Sequence, residues 1–218
     1  MLIRCSSLYK LMTKARSGDG LSETAKTHIK ELVVADVYGV SRNISNKYTK
    51  KGVLLEDEAI KAIGLVTATR PRKNTERLSN GFISGECDLI DDQCIRDTKC
   101  SWSAETFPFF QEDADKAVKE SGYDWQGRGY MWLYDRPVHH IHYVLLPTPF
   151  ELLGEFDDVE MHVNLPQAIP LKRRIKTVSV ERDRELEQLI EHKVGLARIY
   201  AANLYTELGA SPEMILGE

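Results

Sequence analysis

Apolar residues recur every three or four positions over residues 23–38 (Ala25, Ile29, Leu32, Val33, Val37), the spacing that lays one face of a helix on a core. Leu55, Ala59, Ile60 and Ile63 repeat it and predict a helix entered near Lys51 and running to about Ile63. Leu186, Leu189, Ile190, Ala197, Tyr200 and Leu204 predict the longest helix, over residues 182–208. A short helix is expected over residues 6–14, where a serine precedes Leu8, Leu11 and Met12. Two more are expected over residues 109–120 and from Tyr123 onward. Strand-like runs cover residues 82–90, 94–101 and 138–146, the last ended by Pro147, and shorter strands are expected at 66–68 and 160–163. Polar or glycine-rich loops fall at 17–20, 39–46 and 70–74. Helices interleaved with strands predict an α/β fold, a mixed central sheet with helices on both faces.

The 218 residues, 42% hydrophobic and 28% charged, suit one globular domain (1–218) that ends in the long C-terminal helix. No apolar run approaches the roughly 20 residues that span a bilayer. The opening Met1-Leu2-Ile3-Arg4-Cys5-Ser6-Ser7 has no signal-peptide pattern, so no membrane association and a cytoplasmic location are expected. Cys5, Cys87, Cys94 and Cys100 form no CxxC pair and are expected to be reduced thiols, with neither zinc nor an iron–sulfur cluster. The net charge of −4 is unusual for a nucleic-acid binder, since phosphate contacts dominate such binding. The charge is uneven, however. Lys47, Lys50 and Lys51 precede the Glu56 helix and Lys172-Arg173-Arg174-Ile175-Lys176 forms a second basic run, while acids gather at 151–160 and 181–191.

The most informative stretch is Gly85-Glu86-Cys87-Asp88-Leu89-Ile90 followed by Ile95-Arg96-Asp97-Thr98-Lys99. Side chains alternate along a strand, so Asp97 and Lys99 project to one face. A hairpin through Asp91-Asp92-Gln93 brings Asp88 alongside them. Two carboxylates supply the hard oxygen ligands that Mg²⁺ demands, and a lysine beside them can orient a water or neutralise a phosphorane, a set suited to phosphodiester hydrolysis. Taken alone, Asp and Lys two apart also describe an ordinary solvated strand face. His139, His140 and His142 include a His-x-His pair but no acidic partner nearby in sequence, and read as ordinary strand histidines. Trp125 and Trp132, seven apart, read as core, whereas Trp102 could either pack or stack a base.

Further motifs extend this stretch. Gly52 and Glu56 give Gly-x-x-x-Glu on the upstream helix, Asp97-Thr98-Lys99-Cys100 gives an acid-x-Lys-Cys strand, and Gln126 precedes Tyr130-Met131-Trp132 downstream, with Gln126 and Tyr130 on one helical face. In that order the chain resembles the PD-(D/E)xK nuclease superfamily, and within it the lambda-exonuclease-like (YqaJ-type) phage alkaline exonucleases, over roughly residues 3–148. The second family motif, Ser-Pro-Asp-Gly, is reduced here to Glu86-Cys87-Asp88-Leu89.

The resemblance implies a 5′-to-3′ exonuclease that digests linear double-stranded DNA to mononucleotides and leaves a 3′ overhang for phage-type recombination. It implies Mg²⁺, with Mn²⁺ substituting, held by Asp88, Asp97 and the Thr98 backbone carbonyl, and Glu56 on a second ion or its water. Lys99 would position or deprotonate the attacking water, and Gln126 would contact phosphate or water. Arg4, Ser6, Ser7, Lys47, Lys50 and Lys51 would hold DNA or its 5′-phosphate. It also implies a ring-shaped homotrimer in a phage's bacterial host, working beside a single-strand annealing recombinase. Relatives carry a phosphate-reading arginine several residues before the Ser6 position, which would fall before Met1. Arg4 or Lys10 then substitutes, or 5′-phosphate matters less. The alternatives are an endonuclease with the same core and an inactive DNA-end-binding subunit.

Overall fold

The computed structural model describes residues 1–16, 20–40 and 46–210. Residues 17–19 of the loop expected at 17–20, and 41–45 of the 39–46 connection, therefore lie outside the described residues. In chain order the elements are β1 (Ile3–Arg4), α1 (Leu8–Leu11), α2 (Glu23–Tyr38), α3 (Lys47–Thr67), β2 (Leu78–Ser79), β3 (Ile83–Gly85), β4 (Leu89–Ile90) and β5 (Cys94–Cys100). Then follow α4 (Gln111–Glu120), α5 (Tyr123–Tyr134), β6 (Val138–Val144), α6 (Leu165–Ala168), β7 (Ile175–Glu181) and α7 (Arg184–Glu207).

Capping residues set the helix limits. Ser22 accepts a hydrogen bond from the Ala25 amide at the start of α2, and Gly39, at φ 64°, ends it. Asn46 and Thr49 cap α3 reciprocally, so this helix begins at Lys47. Its first turn takes in the lysines that sequence placed ahead of it. The short strand expected at 66–68 is instead the end of α3. Leu65 there is 75% exposed, with no sheet to cover it, and the chain turns out at Ala68 in the left-handed region.

The expected α/β fold of mixed sheet flanked by helices is present, but among the described residues the strands form two sheets. β5 lies between antiparallel β4 and parallel β6, and β7 pairs antiparallel with β6. A second sheet has the order β1-β3-β2, with β1 parallel and β2 antiparallel to β3. The expected 82–90 strand breaks at Glu86-Cys87-Asp88, so its halves join different sheets. The strand expected at 160–163 is a wide helical turn, Glu160–Asn164, leading into α6, with His162 and Val163 buried. β7 had been hidden in the sequence behind the basic run before it.

Residue parity on β6 separates the layers. Ile141, Tyr143 and Leu145 pack with Ala114 and Val118 of α4, while Val144 and Leu146 pack with Ala59, Ala62 and Ile63 of α3. Alternation therefore puts α4 and α3 on opposite faces of the sheet. A third cluster joins α1, α2, α5 and α7 to β3 through residues such as Leu8, Ile29, Ile83, Met131 and Val194. All four cysteines are free thiols.

Candidate active site

β5 pairs with β6 in the register Asp97↔Ile141 and Lys99↔Tyr143, so Asp97 and Lys99 look toward the face covered by α4 and α5. Asp97 is 1% exposed. Its Oδ2 takes the Lys99 ammonium at 2.9 Å, while its Oδ1 is buried without a hydrogen-bond partner. Asp88 sits where β4 stops. Its Oδ2 accepts from the Thr98 amide at 2.7 Å and the Thr98 hydroxyl at 2.9 Å, so a carboxylate continues the ladder that β4's backbone leaves off. The amide and carbonyl of one strand residue point to the same side, so the Thr98 carbonyl shares this open edge. The break at 86–88 frees Asp88 to do this, which a continuous strand could not.

Electrostatics distinguish the members. Burial, then the charge of Asp97, pushes the Asp88 carboxyl up to about 6. Burial opposes ionisation of Asp97 as well, but Lys99 first and His139 second outweigh it and hold this carboxyl below the usual range. Burial works against the Lys99 charge, yet Asp97 and Asp88 overcome it and raise its pKa. The raised pKa favours the charged ammonium of Lys99. Of the two roles expected for it, the positioning one fits. Its Nζ also lies 4.5 Å from the centre of the Tyr123 ring, a cation–π contact.

Gln126 and Tyr130 share a buried face of α5, with Gln126 Nε2 donating to the Tyr130 hydroxyl at 2.9 Å. His139 is fully buried with neither ring nitrogen hydrogen-bonded, and burial pulls its pKa down to about 4. His140 and His142 hydrogen-bond Ser179 and Thr177 at 2.8 and 2.9 Å. All three rings stand on β6.

Three expectations change. Glu56 lies on α3, apart from the hydrogen bonds that join Asp88, Asp97, Thr98 and Lys99. Among the described residues no group of three or more His, Cys, Asp or Glu converges for a metal, and Glu56 pairs with Lys73 at 3.0 Å. α3 packs on the sheet face opposite Asp97. Cys100 feels both sides: burial pushes its thiol up to about 11, with Lys51 acting against this and Asp88 and Glu56 adding to it. Lys51 was expected on DNA, but it is 1% exposed and surrounded by protein acceptors, and burial lowers its pKa to about 8. Lys47 is tied to Asp157 at 2.9 Å, and Lys50 is exposed.

Arg4 and Ser6 do come together, at a polar pocket of about 110 Å³ lined also by Arg77, Ser84, Glu86 and Tyr130. Ser7 is not in its lining; its hydroxyl donates to the Arg4 carbonyl. Arg77, 3.5 Å from Glu86, was missed in the sequence because nothing local marks it, and Tyr123 was missed for the same reason.

The donor set can be tested against Mg²⁺. An unpartnered buried carboxylate oxygen on Asp97, the Asp88 carboxylate and a strand-edge carbonyl are all hard oxygen donors, as this ion requires. They fit it. Cation binding needs Asp88 deprotonated, so Mg²⁺ affinity of the DNA-free protein is expected to fall about tenfold per pH unit below about 6. Calorimetric titration from pH 5 to 8 checks this, and a flat profile would overturn it. The sign for folding is opposite. A folded pKa above the ordinary 3.8 means the native chain binds more protons between these values, so the metal-free fold loses stability as pH rises through that window.

No described helix is long and apolar enough to cross a membrane. No family model matches the chain, and no curated protein does. Solved structures do. A phage-related exonuclease from Haemophilus somnus 129PT is 40% identical, covering 95% of this chain and 96% of its own, with a TM-score of 0.92. An alkaline exonuclease from Laribacter hongkongensis is 15% identical over 95% of this chain and 91% of its own, at TM-score 0.65. The same enzyme in complex with dAMP is 16% identical at TM-score 0.62. At that identity the second likeness shows the fold alone.

Proposed function

This chain belongs to the lambda-exonuclease-like family of phage-related exonucleases, and from that premise we propose that it is a Mg²⁺-dependent 5′-to-3′ exonuclease acting on the ends of linear double-stranded DNA. The observation that carries this reading is the Asp88–Asp97–Lys99 set: two carboxylates and a fixed ammonium at one open strand edge, with an unpartnered oxygen on Asp97. Asp88, Asp97 and the Thr98 carbonyl would hold the metal, Glu56 would serve a second ion or its water, and Mn²⁺ would substitute. A bound Mg²⁺ supplies Lewis acidity and a more acidic water. Asp97 orients Lys99 and keeps it charged. Lys99, braced by the Tyr123 ring, places its positive charge where the scissile phosphate gains negative charge. Gln126, held by the Tyr130 hydroxyl, contacts phosphate or water.

The adjacent pocket reads the 5′-phosphate. Arg4, Ser6 and Arg77 line it together. Arg77→Ala is expected to slow digestion of a 5′-phosphorylated duplex by about tenfold while leaving a 5′-hydroxyl duplex nearly unchanged, as loss of one charge-assisted contact would do. Equal slowing of both substrates would remove the assignment.

The products are mononucleotides and a 3′ single-stranded overhang, the substrate of a single-strand annealing recombinase in a phage's bacterial host. A homotrimeric ring gathers three copies of the Lys50 surface around the duplex and so reconciles DNA binding with a net charge of −4. The deciding experiment is digestion of end-labelled linear duplex beside a covalently closed circle. An exonuclease leaves the circle intact. A cut circle would favour the endonuclease alternative, and no cutting of either would favour an inactive end-binding subunit.

A further inference from the structure

Lys51 has no surface role open to it, yet a lysine is seldom retained inside a protein unless its charge is used. Its Nζ donates to the carbonyls of Ser101 at 2.7 Å, Trp102 at 3.0 Å and Leu146 at 2.7 Å, and to the Thr148 hydroxyl at 2.9 Å. The Ser101 and Trp102 carbonyls follow the end of β5, and Leu146 and Thr148 follow the end of β6. The last bond between these parallel strands, from the Ser101 amide to the Val144 carbonyl, lies at 3.0 Å, and beyond it they separate. The ammonium fills the gap and satisfies carbonyls that no strand neighbour reaches. It comes from the early turns of α3, which carries Glu56 five residues later and packs on Val144 and Leu146 through Ala59, Ala62 and Ile63.

We propose that Lys51 is a positioning residue, whose ammonium locks α3 to the diverging ends of β5 and β6 and so fixes Glu56 relative to the strand that carries Asp97 and Lys99. The inference rests on the nuclease reading above, in which Glu56 serves a second ion or its water. Hydrophobic packing sets the distance of α3 from the sheet but allows sliding along it. Three ammonium hydrogens shared among four fixed acceptors at one end remove that freedom.

The test is a double-mutant cycle on the full chain between Lys51 and Glu56, using Lys51→Met, Lys51→Arg and Glu56→Gln. Turnover on end-labelled linear duplex, half-saturating Mg²⁺, DNA affinity in Ca²⁺ and melting temperature are read together. Lys51→Met is expected to melt earlier and to lose about 10²-fold in kcat, the scale of a small misplacement of a reacting group. Lys51→Arg keeps donors and charge, and is expected to fold and to lose about tenfold. DNA affinity stays within about twofold, because Lys51 does not reach solvent. Glu56→Gln is expected to slow the wild type clearly but to add little in either Lys51 background, since Glu56 is already displaced there. Should Lys51→Met fail to fold, Lys51→Arg carries the cycle.

A Glu56→Gln penalty equal in all backgrounds, or absent from the wild type, would overturn the proposal. So would turnover preserved in Lys51→Met, or a loss wholly accounted for by weaker DNA binding. A wild type that cuts no DNA with any divalent metal would instead refute the nuclease reading, and this inference with it.

Discussion

Asp97→Ala is expected to reduce Mg²⁺-dependent hydrolysis by on the order of 10³-fold or more, since a catalytic metal contributes several kcal/mol to the transition state. The loss has two parts. The substitution removes the buried Oδ1 that lacks any other partner, and it strands the Lys99 ammonium that Oδ2 holds at 2.9 Å. Leaving a buried charge unpaired costs stability as well. Asp97→Asn preserves shape and is the better probe of the metal alone, and both variants are expected to melt below the wild type. Asp88→Ala should match the activity loss, with a different structural signature: the Thr98 amide and hydroxyl lose their acceptor. DNA binding in Ca²⁺ should survive in all three, because phosphate contacts lie elsewhere. Activity within tenfold of wild type for either alanine variant would sink the assignment.

Lys99→Ala is expected to lose about 10²–10⁴-fold in kcat, the usual worth of a positioned proton-transfer or charge-stabilising group. Its metal dependence should separate it from the aspartates. The ammonium repels a cation held by Asp97, so at pH 8 the variant should need no more Mg²⁺ than the wild type for half-saturation. Full rescue of turnover by added Mg²⁺ would mark Lys99 as a structural neighbour of the site. Tyr123→Leu, which removes the ring 4.5 Å from Nζ, should reproduce a small part of the Lys99 loss.

Much of this was legible in the chain. α2 spans the residues its periodicity predicts, because Ser22 and Gly39 punctuate it. The Asp97-Thr98-Lys99 strand and the Asp88 hairpin follow from alternation and a polar turn, both local signals. The failures are non-local. The start of α3 is a polar run whose capping box carries the signal that hydrophobic periodicity lacks. Lys51 sits among lysines in the sequence, and only the splayed ends of β5 and β6 give it acceptors. The break between β3 and β4 falls at a buried cysteine, Cys87, so the apolar pattern runs through it uninterrupted. Arg77 reaches the polar pocket, and Tyr123 reaches Lys99, through packing alone, and no spacing in the chain could have named them.

The two glycines of α5 have a consequence for how the molecule assembles. Helix interiors disfavour glycine by about 1 kcal/mol each, yet a Cβ on Gly127 would fall on the His139 ring, and one on Gly129 would lie 2.7 Å from Cys5 Sγ. Close approach to the sheet and to the N-terminal segment thus requires residues that weaken the helix by itself. An isolated peptide of α5 should be unstructured in water, and the segment should gain its helicity only on a preformed template of β1, β3 and β6. In folding kinetics that means low φ-values along α5. The helix that carries Gln126 and Tyr130 would then close last, and the chain would acquire its chemistry only at the final step of folding.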